Sequence, residues 1–182
     1  MANRSKSAGI HVNHLVLNVR DIEASHRFWT EVMRWEQCGE LGDQIPLTMH
    51  FYRSDPSHHH DIAIVQMQNP DAEGPAQPWN LMKARTAINH FAIAYPDAET
   101  WMDQLKHLKE VGQEFHMRVD HGMTHSAYIS DPDGNGIEVL YELPDEVWSG
   151  DVNAALNYVN PLPVDGPEAF QDDTNFKVFS KS

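Results

Sequence analysis

Two stretches of this chain repeat each other, and an internal repeat narrows the fold more than composition can. Residues 11–19 read HVNHLVLNV and residues 87–95 read AINHFAIAY. Both are short, rich in β-branched or aromatic residues and built around an Asn-His pair, which predicts a strand in each place. Seven residues beyond each histidine stands an aspartate, Asp21 after His14 and Asp97 after His90. An aspartate there can accept hydrogen bonds from the free amides at a helix start. Apolar residues then recur at helical steps: Phe28, Trp29, Val32 and Met33 in the first copy, and Trp101, Leu105, Leu108 and Val111 in the second, where Gly112 predicts the stop. Three more strands are expected per copy, near 35–40, 47–53 and 60–67 in the first and near 114–119, 125–130 and 136–143 in the second. Each half therefore reads β-α-β-β-β, and the chain is expected to be an α+β protein. The expected organisation is an N-terminal tail over 1–10, a first module over 11–68, a linker over 69–86, a second module over 87–143 and a C-terminal extension over 144–182. The linker is marked by the polar, Pro-rich run QNPDAEGPAQPWN. The extension is expected to hold a short helix within 145–158 and to be loosely ordered from 159 onward.

The chemistry lies where the copies differ. Aligning His14 with His90 places Asp61-Ile-Ala-Ile-Val65 on Gly136-Ile-Glu-Val-Leu140. Ala63 stands 49 residues after His14, and Glu138 stands 48 residues after His90. The last strand of each copy thus offers one equivalent position, a glutamate in one and an alanine in the other. Two such modules side by side would line one shared cleft with His14, His90 and Glu138, and leave Ala63 empty-handed. Two imidazoles and one carboxylate with open positions opposite suit a non-haem Fe(II) that must bind both substrate and dioxygen. A lone strand histidine is more often a hydrogen-bonded core residue. A buried, unpaired glutamate in Gly-Ile-Glu-Val-Leu-Tyr would be costly, and its match to the repeat turns the balance towards coordination.

Composition excludes several classes. Lys and Arg total 13 against 27 Asp and Glu, a net charge of −14, which repels nucleic acid and anionic lipid. No apolar run approaches the roughly 20 residues of a membrane span, and MANRSKSAGI lacks an apolar secretory core, so a cytoplasmic location is expected. The single cysteine, Cys38, fits a reducing compartment. The 12 histidines point to metal or acid–base chemistry.

The strings VNHLVL (12–17), HHHDIAIV (58–65), INHFAI (88–93) and DHGMTHSAYISDPDGNGIEVLYELP (120–144) resemble the vicinal oxygen chelate superfamily. Within it, the chain is similar to the small, one-domain type I extradiol catechol dioxygenases over residues 11–148. DPDGNGIE is shared widely in the superfamily; HHDIAI with DHG and Tyr128 is more specific. The resemblance implies two βαβββ modules around a metal-containing cleft. It assigns His14, His90 and Glu138 as ligands of Fe(II), with Mn(II) as the other candidate. His60 matches the acid–base histidine beyond the ligands. His121 matches a histidine that hydrogen-bonds a substrate oxygen, with His125 the competing candidate, and Tyr128 matches the tyrosine supporting a deprotonated catechol oxygen. His58 and His59 read as solvated loop residues.

The implied reaction inserts both atoms of O2 into a catechol, with or without an aryl substituent, as in aromatic hydrocarbon catabolism. Met49, Phe51, Trp148 and Tyr158 are candidates to shape the substituent pocket. A glyoxalase-like metal-dependent isomerase or transferase would want a carboxylate where Ala63 stands. A metal-free small-molecule-binding resistance protein would have no reason to keep both Asn-His strands and Glu138. The expected partners are the catechol and O2, with neither nucleic acid nor membrane. Exposed strand edges make a homo-oligomer the expected state.

Overall fold

The computed structural model describes residues 12–41, 46–82, 88–172 and 175–181. The expected N-terminal tail, 1–10, and the stretch 83–87 at the end of the linker and the start of the second module lie outside the described residues. The chain divides into two units, 1–74 and 75–182. The first contains β1 (Leu15–Val19), α1 (Ile22–Arg27) running on into a π-helical turn (Phe28–Val32), β2 (Glu36–Glu40), β3 (Met49–Arg53) and β4 (Ile62–Gln66). The second contains β5 (His90–Tyr95), α2 (Ala98–Glu110), β6 (Met117–Asp120), β7 (Thr124–Ser130), β8 (Gly136–Glu142), α3 (Asp145–Trp148), α4 (Val152–Leu156) and β9 (Asn160–Leu162). The sheets run β1-β4-β3-β2 and β5-β8-β7-β6-β9. In each, the first and last strands of the repeat pair in parallel and the remaining neighbours are antiparallel. The α+β repeat is the architecture observed.

Local chemistry explains the helices. The Asp21 carboxylate accepts from the amides of Glu23 and Ala24, and the Asp97 carboxylate from Thr100. Trp29, Trp101, Leu105 and Leu108 are fully buried, so each helix turns its apolar stripe onto its own sheet. Val111 departs from the expected stripe: it is 46% exposed because the helix closes at that residue, before Gly112 turns the chain at φ 78°. Register fixes the faces. Tyr52 pairs with Ile62 and meets His26 of α1, so the alternate row Val16–Ala63–Phe51 faces away from the helix. Likewise Tyr141 packs on Trp101 of α2, and the row Ala92–Glu138–Tyr128–Met117 lies on the opposite face.

The extension is more ordered than its sequence pattern suggests. Strand β9 pairs with β6, and Gly150 bridges Ser180. Arg118, 1% exposed, donates to the carbonyls of Pro163 and Ala169. Asp172 accepts from Tyr141 and bonds His125. These are single contacts between positions distant in sequence, which leave no periodic signal.

Candidate metal centre

Ala92, two residues beyond His90, pairs with Glu138; Val16, two beyond His14, pairs with Ala63. The two copies therefore place Glu138 and Ala63 at one register position. The neighbouring antiparallel strand repeats the contrast, with Tyr128 opposite Glu138 and Phe51 opposite Ala63. In the second unit the His90 Nε2 and a Glu138 carboxylate oxygen lie 3.3 Å apart, and the glutamate side chain is only 10% exposed.

The repeated asparagine has a job that the sequence reading does not assign to it. Asn13 Oδ1 is 2.8 Å from His14 Nδ1, and Asn89 Oδ1 is 2.8 Å from His90 Nδ1. An amide oxygen only accepts, so each Nδ1 carries the proton and each Nε2 keeps its lone pair. An accepting oxygen on Nδ1–H is the usual way a metal-ligating histidine is held. Asn89 is itself oriented, since its amide NH2 donates to the carbonyl of Leu81 at 3.1 Å.

The Tyr128 hydroxyl sits 3.1 Å from His121 Nε2. Burial, followed by the charge and hydrogen bonding of Glu138, pushes its pKa well above the ordinary tyrosine value. It stays a neutral donor at any physiological pH. His125, the competing candidate, points to the other face, three residues from Tyr128 on one strand. Its ring is 2% exposed, with Nδ1 2.6 Å from Asp172 and Nε2 3.6 Å from Asp120.

In the first unit the rings of His14 and His60 lie 4.5 Å apart, and His60 also meets Phe51. The Nδ1 atoms of His59 and His60 are 2.7 Å apart, while His58 pairs with Asp61. Burial first, then the nearby His14 and His59 rings, hold the His60 pKa below that of an ordinary histidine. Val12, Asn13 and residues 57–61 line a pocket of about 290 Å³ here. Among the described residues, neither unit by itself gathers three His, Cys, Asp or Glu side chains into a preformed metal site. In the second unit the donors suit part of a divalent metal's shell, an imidazole whose Nε2 keeps its lone pair beside one sheltered carboxylate, and in the first unit His14 offers the same kind of nitrogen.

Trp79 carries no recognisable sequence signal beyond being an aromatic residue in a polar, Pro-rich run. Its indole lies 5.5 Å from the Tyr128 ring with 6° between the planes, and 6.2 Å from the His90 ring. Of the residues considered for the substituent pocket, Phe51 lies on the row of Ala63, whereas Tyr158 packs against Phe179 near the C-terminus.

A sequence profile described as Glyoxalase/Bleomycin resistance protein/Dioxygenase superfamily matches residues 11–139. The chain is 29% identical over 149 residues to the catechol-2,3-dioxygenase of Bacillus subtilis (strain 168), covering 82% of this chain and 47% of that protein. It is 29% identical over 122 residues to biphenyl-2,3-diol 1,2-dioxygenase 2 of Rhodococcus globerulus, covering 64% of this chain and 60% of that one. The chain thus spans about half the length of the curated relatives it matches. In three dimensions it resembles a glyoxylase/bleomycin resistance protein/dioxygenase domain from Frankia sp. EAN1pec, with a TM-score of 0.58 at 18% identity, covering 73% of this chain and 92% of that one. A fosfomycin resistance protein FosX from Listeria monocytogenes, solved with Mn(II), superposes with a TM-score of 0.54 at 17% identity, covering 75% and 95%. At these identities the structural likeness concerns the fold.

Proposed function

Because the chain belongs to the glyoxalase/bleomycin resistance protein/dioxygenase superfamily, we propose that it is an Fe(II)-dependent extradiol dioxygenase that opens a catechol ring beside its diol. One observation carries this reading. The face that presents His90 and Glu138 also presents a neutral Tyr128 hydroxyl held by His121, a donor suited to a catechol oxygen. His14, His90 and Glu138 are the residues that would hold the metal. Alanine where a second carboxylate, the fourth ligand, would stand disfavours a glyoxalase-like isomerase. The similarity to proteins named as catechol and biphenyl-diol dioxygenases supports the choice.

The bound metal would supply Lewis acidity towards two vicinal oxygens and a place for O2. The protein's own groups do the rest. Tyr128, kept protonated by burial and by Glu138, donates to the anionic substrate oxygen. His121 orients that hydroxyl. Asn13 and Asn89 hold the two ligating rings in the tautomer that leaves Nε2 free. His60 takes and returns a proton at its ring nitrogen while the ring opens. Both atoms of O2 end in the ring-opened semialdehyde, so no external reductant is consumed. A homo-oligomer is proposed as the working state, because β1, β2 and β5 are sheet edges; light scattering would read it. The functional test is to load the protein anaerobically with Fe(II), add catechol and admit air. A yellow product with one O2 consumed per ring is expected. Absence of both in iron-loaded, folded protein would remove the dioxygenase reading.

A further inference from the structure

We infer that Trp79 is a specificity-determining residue of this site: its indole fills the space beside Tyr128 and restricts the protein to catechols without a bulky ring substituent. The inference rests on the reading of the His90–Glu138–Tyr128 face as a catechol site. A molecule that meets both a metal at His90 and the Tyr128 hydroxyl has Trp79 as its neighbour, since the indole contacts both rings. The indole and the phenol are nearly parallel with centroids 5.5 Å apart. A third ring inserted between them would need their planes roughly 7 Å apart, two ordinary carbon contact distances. No aryl group enters there while Trp79 stays in place.

Four further contacts keep it in place. The indole N–H donates to the Asn89 carbonyl at 2.7 Å. His116 flanks the indole at 5.6 Å and is itself anchored to Ser130 at 3.0 Å. Gly136 lets the indole lie on the strand backbone, because a Cβ there would come within 2.1 Å of the indole nitrogen. Gly134 does the same for the approaching chain, where a Cβ would fall 2.0 Å from the Gln77 carbonyl oxygen. Two glycines, one in the turn before β8 and one at the start of that strand, thus accommodate the segment that carries Trp79. The side chain is a fixed wall, held from the strand side as well as by its own contacts.

The test is equilibrium binding to the Fe(II)-loaded protein without oxygen, read by calorimetry, for catechol, 3-phenylcatechol and 4-phenylcatechol. The wild type should bind catechol at least about tenfold more tightly than either aryl compound, the scale on which a filled pocket discriminates. Trp79→Ala should bring the aryl compounds to within about threefold of catechol by tightening them. Gly136→Ala, which leaves the tryptophan but removes its seat, should relax the preference in the same direction. An unchanged preference in both variants would overturn the inference, and so would equal weakening of all three ligands, which would make Trp79 a structural prop. Equal affinities in the wild type would overturn it as well. If none of the three diols binds any of these iron-loaded proteins, the catechol reading itself falls, and the inference with it.

Discussion

The two modules share a backbone plan and an Asn-His pair but differ at two facing register positions. The second module sets Glu138 beside Tyr128, whereas the first sets Ala63 beside Phe51. The pairing frame is otherwise the same, with the strand histidine two residues ahead of the position that meets Glu138 or Ala63. A repeat with two carboxylates would surround a metal more completely. A repeat with one leaves room for a substrate and O2. In the proposed function this asymmetry is what opens the site, and it can be reversed from either side.

The largest effect should come from making the second module resemble the first. Glu138→Gln removes the one anionic group of the proposed ligand set, and two neutral imidazoles should hold iron poorly. Affinity should fall by more than the roughly 10–100-fold typical of losing an outer hydrogen-bond partner. Iron content after chelator washing is the measurement, and full occupancy would remove Glu138 from the ligand set. The reverse change, Ala63→Glu, should keep the metal and lose ring cleavage, because a fourth ligand closes a position that O2 or catechol needs. Parent-level cleavage by folded Ala63→Glu would show that position 63 does not face the metal.

The contribution proposed for the first module is His60, which meets Phe51 edge-on, on the row where the second module has its phenol. His60→Asn should leave iron and catechol bound while slowing the oxygen-dependent step by roughly 10²–10⁴-fold. His59→Asn should change it little. Stopped-flow mixing of the anaerobic catechol complex with oxygenated buffer reads the step. An equal loss in the two variants would move the role away from His60.

Much of the fold is legible in the sequence because it is local. A cap aspartate, a helical stripe and a strand of alternating residues each announce themselves within a few positions, and repeat spacing alone set Ala63 against Glu138. The sequence leaves His121 and His125 as competing candidates because spacing alone does not show which ring reaches the Tyr128 hydroxyl. Once β7 runs from Thr124, parity sends Tyr128 and His125 to opposite faces, and His121 is the histidine that reaches the hydroxyl. Trp79 and the ordered extension were illegible for another reason. Both are held by contacts that pair residues distant in sequence, and no local pattern records them.

A smaller effect separates the shared Asn-His pairs. Asn89→Ala and Asn13→Ala should each weaken iron binding by about 10-fold, within the range expected for losing the partner that fixes a ligating histidine. Asn89 is braced by Leu81, so the His90 ring starts better ordered and losing Asn89 should cost the more of the two. Competitive chelation would measure both. No weakening in either variant would leave the asparagines without a positioning role.

An effect on stability alone belongs to a feature described in the second unit only, the extension pinned by Asp172. Burial alone would push the Asp172 carboxyl up, but hydrogen bonds from His125 and Tyr141 and the charge of Arg118 outweigh it, and the carboxyl titrates below the usual aspartate range. A folded-state pKa below the unfolded one adds stability that is fully present above the unfolded value, near 4. That stability is lost as pH falls through the lower folded value. Asp172→Asn keeps an acceptor but discards the charge, so at pH 7 it should cost about 1–2 kcal/mol, the difference between charged and neutral hydrogen bonds. The His125 ring faces Asp120 as well as Asp172, with Tyr141 beside it and Arg118 close by, so the variant should loosen the extension and leave the row of Glu138 and Tyr128 intact. Thermal unfolding of wild type and variant should differ at pH 7, begin to converge only below about pH 4, and meet once pH has fallen through the lower folded value. A gap of constant size across that range would mean that packing, and not the charge of Asp172, secures the extension.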